Sequence, residues 1–278
     1  MSRLDEHAAT AEFALLLEVA GTPKPGNVDR HRDHPDLHFE QFLAGAVGAR
    51  EGLAAATEGP IGSAFETAVA GMSRRAGDNT QFGCLLLLVP LVRAAAVGDL
   101  SREGVKEVCE ATTVADAAAF YRAFEHVDVA VADPPEGMAD LDVRRGADAV
   151  ATVEARDLSL WDVLARTEDD GNADEWTAGF PRTFREAARI RADDGPVADR
   201  GAQAFLRLLA ERPDGFVRTT VGDAAAREAS ERAQACLNGE EDPEQLAEAF
   251  VDRGINPGTT ADITSAALYV ALEQGVSM

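Results

Sequence analysis

The amino-acid sequence predicts an all-α fold, a single compact multi-helix domain over residues 1–278, with a ligand site where polar loops meet helix N-termini. Three observations predict the class. Alanine abounds while aromatic residues make up only 6% of the chain, a composition suited to closely packed helices. Long stretches space their apolar residues at helical rather than alternating intervals. No succession of strands with helices runs along the chain, which argues against a doubly wound sheet. A chain of 278 residues is long enough to bury a substantial core. A linker is conceivable near residues 133–148, but the apolar segments on either side depend on one another, so one domain is expected.

Taken in order, residues 8–20 carry the first helical pattern, and Thr22-Pro23-Lys24-Pro25-Gly26 ends it. Proline fixes φ and restricts its predecessor, and glycine then permits a sharp turn. Gly45, Gly48 and Gly52 put small residues along one helix face, which permits close packing. Cys84 to Val97 reads as a buried core helix with a kink at Pro90. Its apolar run, Leu85 to Val92, is far shorter than the ~20 residues that span a bilayer and ends at Arg93. Val127 to Val131 reads as a short strand before the break Asp133-Pro134-Pro135-Glu136-Gly137. Ser159 and Asp162 form a Ser-x-x-Asp start to a further helix. The acidic segment Glu168 to Trp176 reads either as a turn with Gly171 as a C-cap or as a functional segment around Asp170. Ile263 to Leu272 is the last apolar helix.

Three polar, glycine-bearing loops stand out from this succession. The first, Thr22 to Arg30, holds Lys24, Asn27, Asp29 and Arg30 close together. The others, Gly77-Asp78-Asn79-Thr80-Gln81-Phe82-Gly83 and Asn256-Pro257-Gly258-Thr259-Thr260-Ala261-Asp262, each lead into an apolar helix. Helix N-termini carry unpaired N–H groups and partial positive charge, and so suit phosphate. Plain capping competes at each: Thr259 with Asp262 resembles a capping box, and Asn79 or Thr80 could cap the other helix. Three such loops together favour a site.

The segments TPKPGNVDRHRDH, GDNTQFG and NPGTTADIT resemble the three signature segments of the triphosphoribosyl-dephospho-CoA synthase family. They span positions 22 to 262 in the expected order. Two departures stand out: Gln81 and Phe82 replace a His-Lys pair, and Thr219 and Thr220 stand where members carry a basic pair. The resemblance implies transfer of the triphosphoribosyl group of ATP to the 2′-hydroxyl of 3′-dephospho-CoA, with adenine expelled. It assigns Lys24 and Arg30 to phosphate, within a loop shared with Pro25, Gly26 and Asn27. Asp262 falls to the reacting ribose, with Asp29 as a second catalytic acid. Asp29, Asp33 and Asp78 suit Mg²⁺ bound jointly with triphosphate oxygens. Asn79, Thr80, Gly83 and the turn Pro257, Gly258, Thr259 and Thr260 would bind ATP. A D-D-x-N-like segment matches Asp169, Asp170 and Asn172, with Asp170 as the functional acid. Arg74 and Arg75 extend the anion site or are solvated helix-end charges. Transfer to another acceptor and non-catalytic ATP binding stay open beside this reading.

A net charge of −23 with lysine only at Lys24 and Lys106 resembles the acidic surfaces of salt-adapted proteins, where salt screens self-repulsion. It excludes nucleic acid and anionic membrane as general partners, which need basic patches. Any phosphate-rich substrate must therefore meet local cations or metal ions. Cys84, Cys109 and Cys236 have no metal-ligand spacing and suit core packing in a reduced cytoplasm. No basic start followed by an apolar run marks a targeting signal, so a cytoplasmic location is expected. His31, His34 and His38 fit no common zinc signature, because Pro35 interrupts them and no cysteine accompanies them; substrate or carboxylate hydrogen bonds suit them better. A homo-oligomer is left open.

Overall fold

The computed structural model describes residues 3–134, 137–167 and 169–277. Among these the chain forms fifteen α-helices and two 3₁₀ segments, with no strand. The all-α expectation holds. Helices α1 (Arg3–Ala20), α2 (Phe39–Ala56) and α3 (Ile61–Ala76) pack in sequence. The α2–α3 contact is the closest, for the reason the small residues imply: a Cβ on Gly48 would stand 2.3 Å from the Gly71 carbonyl oxygen, and one on Gly52 2.2 Å from Ala68 N. Glycine alone lets the two backbones approach this far.

Helix α4 (Phe82–Val97) lies at the centre, with Leu85, Leu87, Leu88, Leu91 and Val92 wholly buried. It packs on α1, α2 and α3, on α5 (Arg102–Glu110), on α9 (Gly171–Ala178) and on α15 (Gly258–Glu273). It continues as helix through Pro90. Apolar on nearly every face, α4 is a core helix, and no single helix among the described residues is long and apolar enough to cross a membrane. Next come α6 (Val114–Ala123), α7 (Val150–Ala155), α8 (Leu160–Leu164) and α10 (Pro181–Ala192). A second apolar cluster joins α11 (Val197–Glu211), α12 (Gly215–Thr220), α13 (Asp223–Leu237) and α14 (Pro243–Asp252) through Phe205, Leu209, Val217, Leu246 and Phe250.

Capping fixes several of these boundaries. Thr113 with Asp116 and Ser159 with Asp162 form reciprocal capping boxes on α6 and α8. Gly77 and Gly98 end α3 and α4 in left-handed conformations.

The structure corrects three readings of the sequence. The first helix begins at Arg3 rather than residue 8, because buried His7 and Ala8 already belong to its inner face. Residues 127–131 form no strand, since no neighbouring segment pairs with them. Gly171 opens a helix instead of closing one, because Asp170 accepts from Asn172 N and Ala173 N as its N-cap. Residues 139–149 form two 3₁₀ turns tied to the main core, with the Tyr121 hydroxyl donating to the Leu141 carbonyl at 2.6 Å. Pro135, Glu136 and Glu168 lie outside the described residues.

Candidate active site

The first loop is a buried polar knot. Lys24 is wholly buried, and its ammonium donates to Glu18 on α1 and to Asn27 Oδ1 at 2.8 Å. Burial raises the Glu18 carboxyl above its usual range despite the lysine beside it. Asn27 in turn donates to Asn256 Oδ1 at 2.9 Å, fastening the first loop to the third. Gly26 has φ 78°, and a Cβ there would stand 2.0 Å from the Ile255 carbonyl oxygen. Asp29 organises the turn, accepting from the Thr22 hydroxyl (2.8 Å), Lys24 N (3.3 Å), His31 N (2.8 Å) and Arg32 Nη1 (3.1 Å).

The second loop brings the N-terminus of α4 to the same place. The N-cap of α4 is Gln81 rather than Asn79 or Thr80, and Asn79 Oδ1 accepts from Phe82 N at 3.2 Å from two residues before it. Phe82 lies in an aromatic cluster with Phe65, Phe120 and Phe124, at ring-centroid distances of 5.0, 6.5 and 4.8 Å. A Cβ on Gly83 would fall 2.0 Å from Asp262 Oδ2, so glycine is what admits that carboxylate to the helix start.

In the third loop α15 begins at Gly258, which places Asp262 inside the helix. The expected capping box with Thr259 is therefore not formed. Asp214, the N-cap of α12, takes over the anchoring: it accepts from Thr260 N and Thr260 Oγ1, both at 2.7 Å, and from Val217 N at 3.0 Å. Asp262 points away from helix-end duties. Its Oδ1 accepts from the Cys84 thiol at 3.2 Å and its Oδ2 from Asn172 Nδ2 at 2.8 Å. Burial pushes its carboxyl up to about 7 against the pull of those two donors, and the charges of Asp214 and Glu18 add to the push.

Above Asp262 lies a cavity of about 410 Å³. Of the expected site residues, Asn27, Asn79, Thr80, Gly83, Asp170, Gly258, Thr259 and Asp262 line it, joined by Glu18, Asn172 and Phe216. Its apolar lining comes from Phe82, Phe120, Phe124 and Leu164 and from Val129 to Ala132. Arg166 and Arg218 are the lining cations among the described residues. Arg218 also pairs with Asp169 and Asp223.

Other expected residues stand elsewhere. Lys24, Pro25, Gly26, Pro257 and Thr260 support the loops from behind the lining. Arg30 faces outward to the Ala20 carbonyl and Asp199. Asp33 accepts from Phe39 N at 2.7 Å and pairs with His38, while Asp78 accepts from Asn79 N at 2.7 Å. Asp29, Asp33 and Asp78 are thus not brought together. Among the described residues no group of three or more His, Cys, Asp or Glu side chains is placed to hold a metal ion. His34 Nε2 donates to the Gly26 carbonyl at 2.6 Å. Arg74 and Arg75 are not among the lining residues.

Residue types and spacing do not single out Cys84, Asp214 or the two lining arginines. Asn172 is the last residue of the D-D-x-N segment, and the structure gives it the contact to Asp262. Asp214 is followed by glycine and an apolar residue, a capping signal that was available. Cys84 had none, for it opens an apolar run like any core residue.

A model of the ATP:dephospho-CoA triphosphoribosyl transferase family matches residues 4–277. Among solved structures, that of a "putative triphosphoribosyl-dephospho-coA synthase" from Archaeoglobus fulgidus is similar over 86% of this chain and 100% of that one, at 26% identity and a TM-score of 0.70.

Proposed function

The chain belongs to the ATP:dephospho-CoA triphosphoribosyl transferase family, and from that premise we propose how its cavity moves the triphosphoribosyl group of ATP to the 2′-hydroxyl of 3′-dephospho-CoA. One observation carries the reading. The Asp262 carboxyl stands at the cavity floor where three helix starts converge, with a proton affinity near neutrality. In the transfer, the acceptor oxygen bonds to the ribose C1′ while the bond from C1′ to the adenine nitrogen breaks. Its electron pair leaves with the base, which takes a proton from solvent. Asp262 in its ionised form accepts the hydroxyl proton and faces the positive charge that builds at C1′. Asn172 fixes its rotamer through Oδ2.

Phosphate binding falls to Arg166 and Arg218, since Lys24 and Arg30 do not line the cavity. Magnesium would come as the counter-ion of the triphosphate, which needs few protein ligands; of the lining acids, Asp170 caps α9 through Oδ1 and would offer Oδ2, and Asp169 would have to leave Arg218. Phe82, in place of a lysine, makes the adjoining wall a surface for the flat, weakly polar parts of the substrates. Three free cysteines, two of them buried, fit a reducing cytoplasm.

Incubation of the protein with ATP, Mg²⁺ and dephospho-CoA should release adenine and yield a product whose mass is the sum of dephospho-CoA and triphosphoribose less water. Asp262→Asn keeps the shape and removes the charge, so it should fold, bind ATP and release adenine ~100-fold more slowly or worse. Near-normal turnover by this variant would remove Asp262 from the chemistry.

A further inference from the structure

We propose that Cys84 is a positioning residue for this transfer, its thiol holding the Asp262 carboxylate ionised and aimed at the cavity. The inference rests on the functional reading above and extends it to a residue that the reaction does not itself demand. Cys84 occupies the first turn of α4 and lines the cavity, yet its side chain is almost wholly buried. A buried thiol on so apolar a helix behaves as a small hydrophobe. Cys109 does so within the main core. Cys84 differs, because its S–H reaches across 178 positions of sequence to Asp262 Oδ1 at 3.2 Å.

The geometry divides the carboxylate between two helices. Cys84 on α4 takes Oδ1 and Asn172 on α9 takes Oδ2, so each oxygen has one donor and keeps lone-pair capacity for an incoming hydroxyl. Gly83 leaves no side chain between them. The carboxylates nearby act in the opposite direction: Asp214 ahead of α12, and Glu18 on α1, whose charge its partner Lys24 offsets. Asp262 is therefore surrounded by burial and negative charge that favour its neutral form, with two neutral donors opposing them. Burial also holds the thiol protonated far above neutrality, so the donor persists across the working pH range. Removing it should make the carboxyl harder to ionise and freer to rotate.

The test compares the parent protein with Cys84→Ala and Cys84→Ser. Carbon-13 NMR of aspartate-labelled protein, with the resonance assigned by its loss in Asp262→Asn, follows the Asp262 titration without reference to turnover. The alanine variant should titrate ~0.5–1 unit higher. Serine, which restores a donor, should bring the midpoint back to the parent value or below it. Adenine release by Cys84→Ala should then fall ~3–10-fold on the acid side of the profile and rejoin the parent curve at alkaline pH, one unit of pKa being a factor of ten. An unchanged titration midpoint in Cys84→Ala, or equal losses at every pH in both variants, overturns the proposal and leaves Cys84 as packing. If the parent protein releases no adenine at any pH, the functional reading fails, while the titration still decides whether Cys84 governs Asp262.

Discussion

Adding one methyl group at Gly83 separates the requirements of the fold from those of the site. The residue lies in the first turn of α4, and its backbone is not in the left-handed region, so alanine is locally acceptable there. Alanine even gains ~1 kcal/mol of helix propensity over glycine. The new Cβ, however, would stand 2.0 Å from Asp262 Oδ2, 2.5 Å from its Cγ and 2.7 Å from Asn172 Nδ2. Ordinary contact begins at 3.4 Å, so the carboxylate must retreat by about 1.4 Å. A displacement on the scale of 1 Å at a reacting group costs ~10²-fold in rate. Overpacking of this kind costs ~1–3 kcal/mol, which the propensity gain partly offsets. The melting temperature of Gly83→Ala should therefore fall by only a few degrees, ~2–4 °C per kcal/mol at this size. Adenine release followed by chromatography, beside a thermal melt and an ATP-binding isotherm, reads all three quantities. Parent-like turnover in Gly83→Ala would refute the placement of Asp262 at the reacting centre.

The pH dependence of activity and of stability should run in opposite senses. Transfer should accelerate as pH rises through about 7, where Asp262 ionises. The folded state retains a proton that the unfolded chain has released between pH ~4 and ~7, so this group's contribution to stability declines as pH climbs through that window. Melting at several pH values should show the decline, and Asp262→Asn should reduce it; the buried Glu18 and Asp214 carboxyls act in the same sense. Asp214→Ala orphans Thr260 N, Thr260 Oγ1 and Val217 N at once, and denaturant titration should show a loss of ~2–4 kcal/mol. With a net charge of −23, the protein should need molar KCl or NaCl for full stability. Identical melting in dilute buffer and in concentrated salt would remove that expectation.

The three loops were legible because each breaks an apolar helical pattern with glycine, proline and polar residues that a core does not use. Their convergence was legible only as a resemblance, since contacts such as Asn27 to Asn256 join positions 229 apart. Lys24 shows where reading by residue type stops. A lysine beside an arginine in a turn suits a phosphate, but here it is neutralised within the fold by Glu18. A faint signal existed: Glu18 falls on the same helix face as Ala11, Ala14 and Leu15, all wholly buried, and an acid on an apolar stripe calls for a buried partner. The 127–131 segment has strand-like composition, and composition says nothing about whether a second strand is there to meet it. Asp262 reads as a cap because spacing is blind to where a helix starts; the Asp214 carboxylate, forty-six positions away from Thr260, decides that.

A chain fastened at residue 27 to residue 256, and again by His7 Nδ1 to Glu273 at 2.8 Å, cannot assemble its binding floor in instalments. A growing polypeptide that has emerged with two loops still lacks α15, and with it Asp262. Such contacts, distant along the chain, form late because loop closure precedes their reward. If the proposed site holds ATP, the nucleotide would bridge the loops joined by Asn27 and Asn256, and amide exchange at both should slow together when ATP is added.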